Sequence, residues 1–168
     1  PNYPHGKIFK EFSNSRGDYQ NYQGANIIRV PLVPRGKGSW WLALNYLSFA
    51  FFSCVFGPWL LRKKRVDVVF TYQLSPVTIG LTAILIGRIK RAPVVFWVLD
   101  LWPETLSAMG IAQSGWILGW VGQLVKFIYR RCALVLGQSK GFLESMSNYT
   151  DNVKKLRYFP SWAEDDFS

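Results

Sequence analysis

A chain of 168 residues is long enough for one hydrophobic core and too short for two ordinary domains. Its 49% hydrophobic and 17% aromatic content excludes a disordered chain and supplies more apolar surface than one small core needs. Twenty Lys and Arg against ten Asp and Glu give a net charge of +10, which calls for an anionic partner such as a phosphorylated substrate, acidic lipid or nucleic acid.

Pro1 to Gly24 is polar and rich in turn residues, so it reads as an irregular loop rather than a signal peptide. So long an opening loop is odd for a domain and implies elements that precede it. A strand is expected near Ile27 to Val33, followed by a long apolar helix from about Ser39 to Leu61. Gly38 to Leu61 holds 24 residues without a charge, bracketed by Arg35 and Lys37 before it and Arg62, Lys63, Lys64 and Arg65 after it. About 20 apolar residues suffice to cross a bilayer. A crossing, however, would separate the strand at Ile27 from the next one, and Asn45, Ser48, Ser53 and the Gly57–Pro58 break weaken a spanning reading. Trp40, Trp41, Tyr46 and Trp59 are amphipathic aromatics favoured at membrane interfaces. An in-plane or half-buried helix on an anionic membrane surface is therefore preferred, with burial in the domain core as the alternative.

Next come a strand from Val66 to Tyr72 and a helix to about Ile89, for which Ser75 and Pro76 form an N-cap and first-turn pair. The run Val94 to Leu99 is β-branched and aromatic, reads as a buried parallel strand, and ends abruptly in Asp100, Trp102, Pro103 and Glu104. A helix from about Trp116 to Arg131 places Ile117, Val121, Leu124 and Ile128 on one buried face. A strand at Ala133 to Gly137, a helix at Gly141 to Tyr149 and a strand at Lys155 to Phe159 complete the series. Pro160 to Ser168 then turns acidic, as a linker would. Strands alternating with crossover helices predict an α/β fold, a Rossmann-like parallel sheet with helices on both faces.

Ligands of such sheets bind at the strands' carboxyl ends. That rim receives Tyr72, Gln73 and Ser75, then Asp100 and Glu104, then Gln138, Ser139 and Lys140. Ser75 and Ser139 have a simpler role as N-caps, and Lys140 as a solvated charge. Asp100 stands apart, because an acid directly after a buried apolar run is costly unless it has partners. The basic clusters Arg62 to Arg65, Arg88 to Arg91 and Lys126 to Arg131 each end a helix, which places them at the opposite rim, either complementing helix dipoles or facing lipid. Cys54 and Cys132 fit a reducing cytoplasm, and with His5 as the single histidine a zinc site has no ligand set. The familiar nucleic-acid signatures are missing, so nucleic acid is a distant third among the partners. No Gly-rich phosphate loop occurs, so the chain is not a self-sufficient nucleotide-binding domain.

PNYPHGK at the front, NYLSFA in the long apolar helix, DLWPE, YRRCALVLGQSKGF and the closing FPSWAEDDF together resemble the family 4 glycosyltransferases of the GT-B fold. The likeness is to the bacterial sugar transferases that build O-antigen, capsule or exopolysaccharide on a lipid carrier. It implies a partial N-terminal acceptor-binding domain lacking its first strand, helix and second strand, with the donor domain absent. The implied reaction is retaining and metal-independent: a nucleotide-sugar, as co-substrate rather than resident cofactor, gives its sugar to a polyprenyl-diphosphate-linked acceptor on the cytoplasmic face of the plasma membrane. Under the resemblance Asp100 is catalytic, positioning the acceptor hydroxyl or supporting positive charge on the sugar, while Trp102 stacks on a sugar and Glu104 shapes the acceptor wall. Tyr72, Ser75, Gln138, Ser139 and Lys140 complete that wall. Leu99 stands where similar enzymes often carry a histidine, and Ser161 replaces the asparagine of a PNW triplet. The alternative is a non-catalytic peripheral membrane-binding module.

Overall fold

The structure, a computed structural model, describes residues 21–161. The chain divides into two compact units meeting at Arg65 and Val66. The expected opening loop and the acidic tail fall largely outside the described residues.

In the first unit, Asn21–Tyr22 (β1) and Ala25–Asn26 (β2) pair antiparallel. Gln23 and Gly24 between them both take positive φ, 47° and 84°, the pattern of a two-residue hairpin turn that matches strand twist. The strand expected at Ile27 to Val33 does not form. Pro31 and Pro34 flank its end and remove two ladder donors. The backbone of Val33 is satisfied by side chains instead: its N–H donates to Ser48 Oγ at 2.9 Å, and its carbonyl accepts from Asn45 Nδ2 at 2.5 Å.

Those two side chains belong to helix α1, Ser39–Leu60. α1 inverts the usual amphipathic order. Its buried residues are mostly small (Leu42, Ser48, Ala50, Ser53, Gly57), while Trp40, Leu47, Phe51, Val55 and Trp59 stand exposed. A helix sunk in a core would bury its large residues first, yet only 17% of this apolar stretch is buried. By length and composition it could cross a membrane. Arg62 ends it, donating from Nη1 to the Trp59 carbonyl at 2.9 Å with its guanidinium 4.3 Å from the Trp59 ring centre.

The second unit is the α/β fold that the alternating pattern predicts. Strands β3 (Val69–Gln73), β4 (Val94–Val98), β5 (Leu134–Gly137) and β6 (Leu156–Tyr158) form one all-parallel sheet in chain order. The connecting helices are α2 (Ile79–Lys90), α3 (Glu104–Ala108), α4 (Gly115–Arg131) and α5 (Lys140–Ser147). Register places Thr71, Phe96 and Val135 side by side, and Tyr72, Trp97 and Leu136 on the other face. The first face carries the core: Phe96, Val98, Val125, Ile128, Val135 and Met146 are all but inaccessible. α2 and α4 cross closely there, since a Cβ added at Gly80 would lie 2.7 Å from Ile128 Cγ2. The second face is aromatic, with the Trp97 ring meeting Tyr72 at 5.2 Å and Phe159 at 5.0 Å between ring centres.

Ser75 does not cap α2. The Ser75–Pro76 bond is cis, and three successive i to i+3 bonds from Pro76, Val77 and Thr78 carbonyls lead the chain into a helix that begins at Ile79. The terminal turn thus delays α2 by several residues. α2 and α4 end in Arg88 with Lys90 and in Arg130 with Arg131, where cations complement the helix dipole.

Candidate functional site

The carboxyl rim of the sheet gathers four segments, those leaving β3, β4, β5 and β6. The loop after β4 is organised by its own acid. Asp100 is half-buried; its Oδ2 accepts from Trp102 Nε1 at 3.1 Å and its Oδ1 from Thr105 Oγ1 at 2.5 Å. The two bonds clamp the carboxylate between the loop and the first turn of α3. A carboxylate has about four acceptor positions, so each oxygen keeps one lone pair for a further donor.

Trp102 is only 8% exposed, which corrects the expectation that its ring face stacks on a sugar: the indole is spent on packing and on holding Asp100. Glu104, exposed at the start of α3, reaches α5 instead of a cap. Its Oε1 accepts from Ser145 Oγ at 2.8 Å and Tyr149 Oη at 3.2 Å. Burial first, and then the charge and hydrogen bond of Glu104, raise the Tyr149 phenol above its ordinary pKa.

The loop after β5 is tied across to β4 and to the chain beyond β6. Gln138 Nε2 donates to the Leu99 carbonyl at 3.3 Å, and Gln138 Oε1 accepts from Ser161 Oγ at 3.3 Å. Ser139 is the N-cap of α5, accepting from the Phe142 N–H at 3.2 Å, and Lys140 is exposed on the first helical turn. Tyr72 projects onto the aromatic face against Trp97, and Ser75 is exposed in the turn before α2.

Gln73 adds a feature of its own. It is 1% exposed, donates from Nε2 to the Leu74 carbonyl, and its Oε1 lacks a partner among the described residues, as does the buried Thr78 Oγ1. Unpaired buried acceptors are rare enough to mark a place where a donor is wanted. The sequence places Gln73 at this rim, past a strand expected to end at Tyr72; the strand in fact includes Gln73 and turns its side chain inward. Thr105, Ser145 and Tyr149 carried no such signal, since their roles depend on loop closure and helix placement.

The structure places the expected membrane residues at the surface. Trp40, Trp41 and Trp59 are 75%, 47% and 58% exposed, and Arg62, Lys63, Lys64 and Arg65 are exposed after them. No protein-family model and no curated protein matches this chain.

Proposed function

We propose that this chain is the acceptor-binding half of a membrane-associated glycosyltransferase. The reading has the acceptor, a hydroxyl on a polyprenyl-diphosphate-linked saccharide, lie at the carboxyl rim of the sheet. A nucleotide-sugar supplied from a second domain would deliver its sugar on the cytoplasmic side of the membrane. The observation that carries it is the Asp100 carboxylate, clamped within DLWPE at the strand end and keeping lone pairs free on both oxygens. In the transfer the bond from the anomeric carbon to the donor phosphate breaks and a bond to the acceptor oxygen forms. The acceptor proton passes to the departing phosphate, and Asp100 holds the hydroxyl and faces the positive charge that develops on the sugar. The unpaired Gln73 Oε1 supports a hydroxyl-bearing ligand at the same rim, and the exposed aromatics of α1 support a substrate that arrives with a lipid tail.

The test expresses the gene with its flanking coding sequence and supplies membranes with labelled UDP- and GDP-sugars. Extension of a lipid-linked saccharide by one sugar, lost in Asp100→Asn, is the expected result. The 168-residue chain alone should give silent calorimetric titrations with the same sugars. Transfer by no donor, or undiminished transfer by the Asp100→Asn protein, overturns the reading. One observation favours a second reading, a non-catalytic peripheral module: Asp100 and Glu104 both already have structural partners.

A further inference from the structure

Helix α4 shows two faces. Val125, Ile128 and Tyr129 are buried in the second unit, whereas Trp116 and Trp120 are 73% and 65% exposed, and Phe127 is also exposed. At 100° per residue, Trp116, Trp120, Gln123, Phe127 and Arg131 fall within a narrow arc, a stripe about 22 Å long by helix rise. Three large aromatics on the solvent side of one helix are not explained by the core, which α4 already meets with its other face.

At its lower end the stripe runs into a cleft of about 400 Å³ at the amino-terminal rim of the sheet, remote from Asp100 along the strands. Arg88 and Arg91 from the end of α2 and Arg131 from the end of α4 line it, together with Ile84, Pro93 and Val94, and among the described residues no carboxylate does. Helix dipoles explain why arginines end helices. They do not explain why three converge on one cleft that no acid lines among the described residues. Arg131 joins the two features, its guanidinium lying 3.8 Å from the Phe127 ring centre. The nearest salt bridge on α4, Lys126 to Asp151 at 3.0 Å, lies outside the cleft lining.

We infer that the outer face of α4 and the three-arginine cleft form a membrane-docking surface, in which Trp116, Trp120 and Phe127 enter the headgroup boundary while Arg88, Arg91 and Arg131 bind the phosphates of anionic phospholipids. Tryptophan has the amphipathic ring preferred at that boundary, and the guanidinium fork matches a phosphate. Charge complementarity selects the occupant: apolar rings beside uncompensated arginines suit a surface with acyl chains beneath phosphates. Trp116 and Trp120 pack edge to face at 72°, so they present a joint wedge rather than parallel plates for successive bases. This surface extends the membrane association proposed above to the second unit and does not depend on the transferase chemistry.

Flotation of the intact chain with vesicles of phosphatidylcholine, alone or with a third phosphatidylglycerol, tests it. Trp116→Ser/Trp120→Ser should lower partitioning ~10-fold or more, and Trp116→Tyr/Trp120→Tyr should restore most of it. Arg88→Gln/Arg91→Gln/Arg131→Gln should cost ~10²-fold on the anionic vesicles and little on the neutral ones. All these side chains are at the surface, and an unchanged melting temperature verifies folding. Trp40→Ser/Trp41→Ser in α1 serves as the separate arm: loss there with wild-type behaviour of the α4 variants overturns this inference and leaves the α1 reading standing. Displacement of the chain from vesicles by millimolar inorganic phosphate, or sensitivity of oligonucleotide binding but not vesicle binding to the same variants, also overturns it.

Discussion

Replacing Asp100 separates two roles that the geometry assigns to one carboxylate. Asparagine keeps the shape and can keep both contacts: its carbonyl oxygen accepts from Trp102 Nε1, which can only donate, and its amide donates to Thr105 Oγ1, which can rotate to accept. What is lost is the charge on two bonds, a difference of about 1 kcal/mol each. Partial solvent access roughly halves that, to about 1 kcal/mol in total, which a domain of ordinary stability tolerates. Alanine is different. It removes the carboxylate that accepts from the buried Trp102 indole and from Thr105, so about 3 kcal/mol is expected. Urea unfolding followed by tryptophan fluorescence should therefore rank wild type, Asp100→Asn and Asp100→Ala in that order, with most of the loss in the last step. An Asp100→Ala chain as stable as wild type would refute the clamp. In the full-length protein, Asp100→Asn should lower turnover ~10²-fold or more with donor affinity little changed. Wild-type turnover per folded Asp100→Asn molecule would refute the catalytic role while leaving the clamp intact.

Glu104→Gln should cost little stability, since one amide oxygen can still accept from Ser145 and Tyr149, but it removes the charge that raises Tyr149. Ultraviolet titration should then show Tyr149 ionising at lower pH than in wild type, while burial still holds Tyr129 protonated, and the acceptor KM of the full-length protein should rise more than kcat falls. Alanine at two glycines should act with opposite signs: Gly119→Ala on α4 meets open space and should stabilise by ~0.5–1 kcal/mol, whereas Gly80→Ala runs into Ile128 and should destabilise by ~1–2 kcal/mol net of the same helix gain. Equal shifts in urea midpoint would show that the α2–α4 crossing is looser than described. Burial, partly countered by Lys155, pushes the Cys132 thiol from 9.0 up to about 12, so the folded chain holds that proton longer than the unfolded one. Its contribution is complete below pH 9 and falls by ~1.4 kcal/mol per unit as pH rises toward 12; urea midpoints that stay flat from pH 9 to 10, or do not flatten in Cys132→Ala, would count against this.

The second unit was legible because its signals were of one kind. Continuous apolar runs of five or so residues, separated by helical periods, leave a parallel sheet as the solution, and β3 to β6 follow in chain order as the shortest connections allow. The first unit was less legible because its decisive contacts are polar and local to no pattern. Ile27 to Val33 has the composition of a strand, but two prolines deny it a ladder, and of the polar residues that seemed to interrupt α1, Asn45 and Ser48 serve the backbone of Val33 while Ser53 donates back to the carbonyls of Phe49 and Ala50. Periodicity reports which faces are apolar. It does not report which apolar faces stay exposed: of the stripe expected on α4 only Ile128 is buried, Val121 and Leu124 are half-buried and Ile117 is exposed, while Val125 and Tyr129 take the inner positions and Trp116 and Trp120 stay outside.

At the rim the same asymmetry applies to roles. An acid after a buried strand announces that it has partners, and the sequence placed Asp100 on that ground; it could not say that the partners would be Trp102 and Thr105, two and five residues on. Such local bonds are compatible with catalysis rather than opposed to it, because a carboxylate that must meet a hydroxyl reproducibly has to be held by something other than that hydroxyl. The clamp occupies one position on each oxygen and leaves a second acceptor position on each. Trp102 is buried, and its indole N–H donates to Asp100. A Trp102→Phe chain should therefore stay folded while freeing the Asp100 carboxylate to rotate. In the full-length protein its turnover should fall with Asp100 still present, by less than Asp100→Asn costs. If the fall were absent, orientation by the indole would have no part in the chemistry, and Thr105 alone would be the positioning contact.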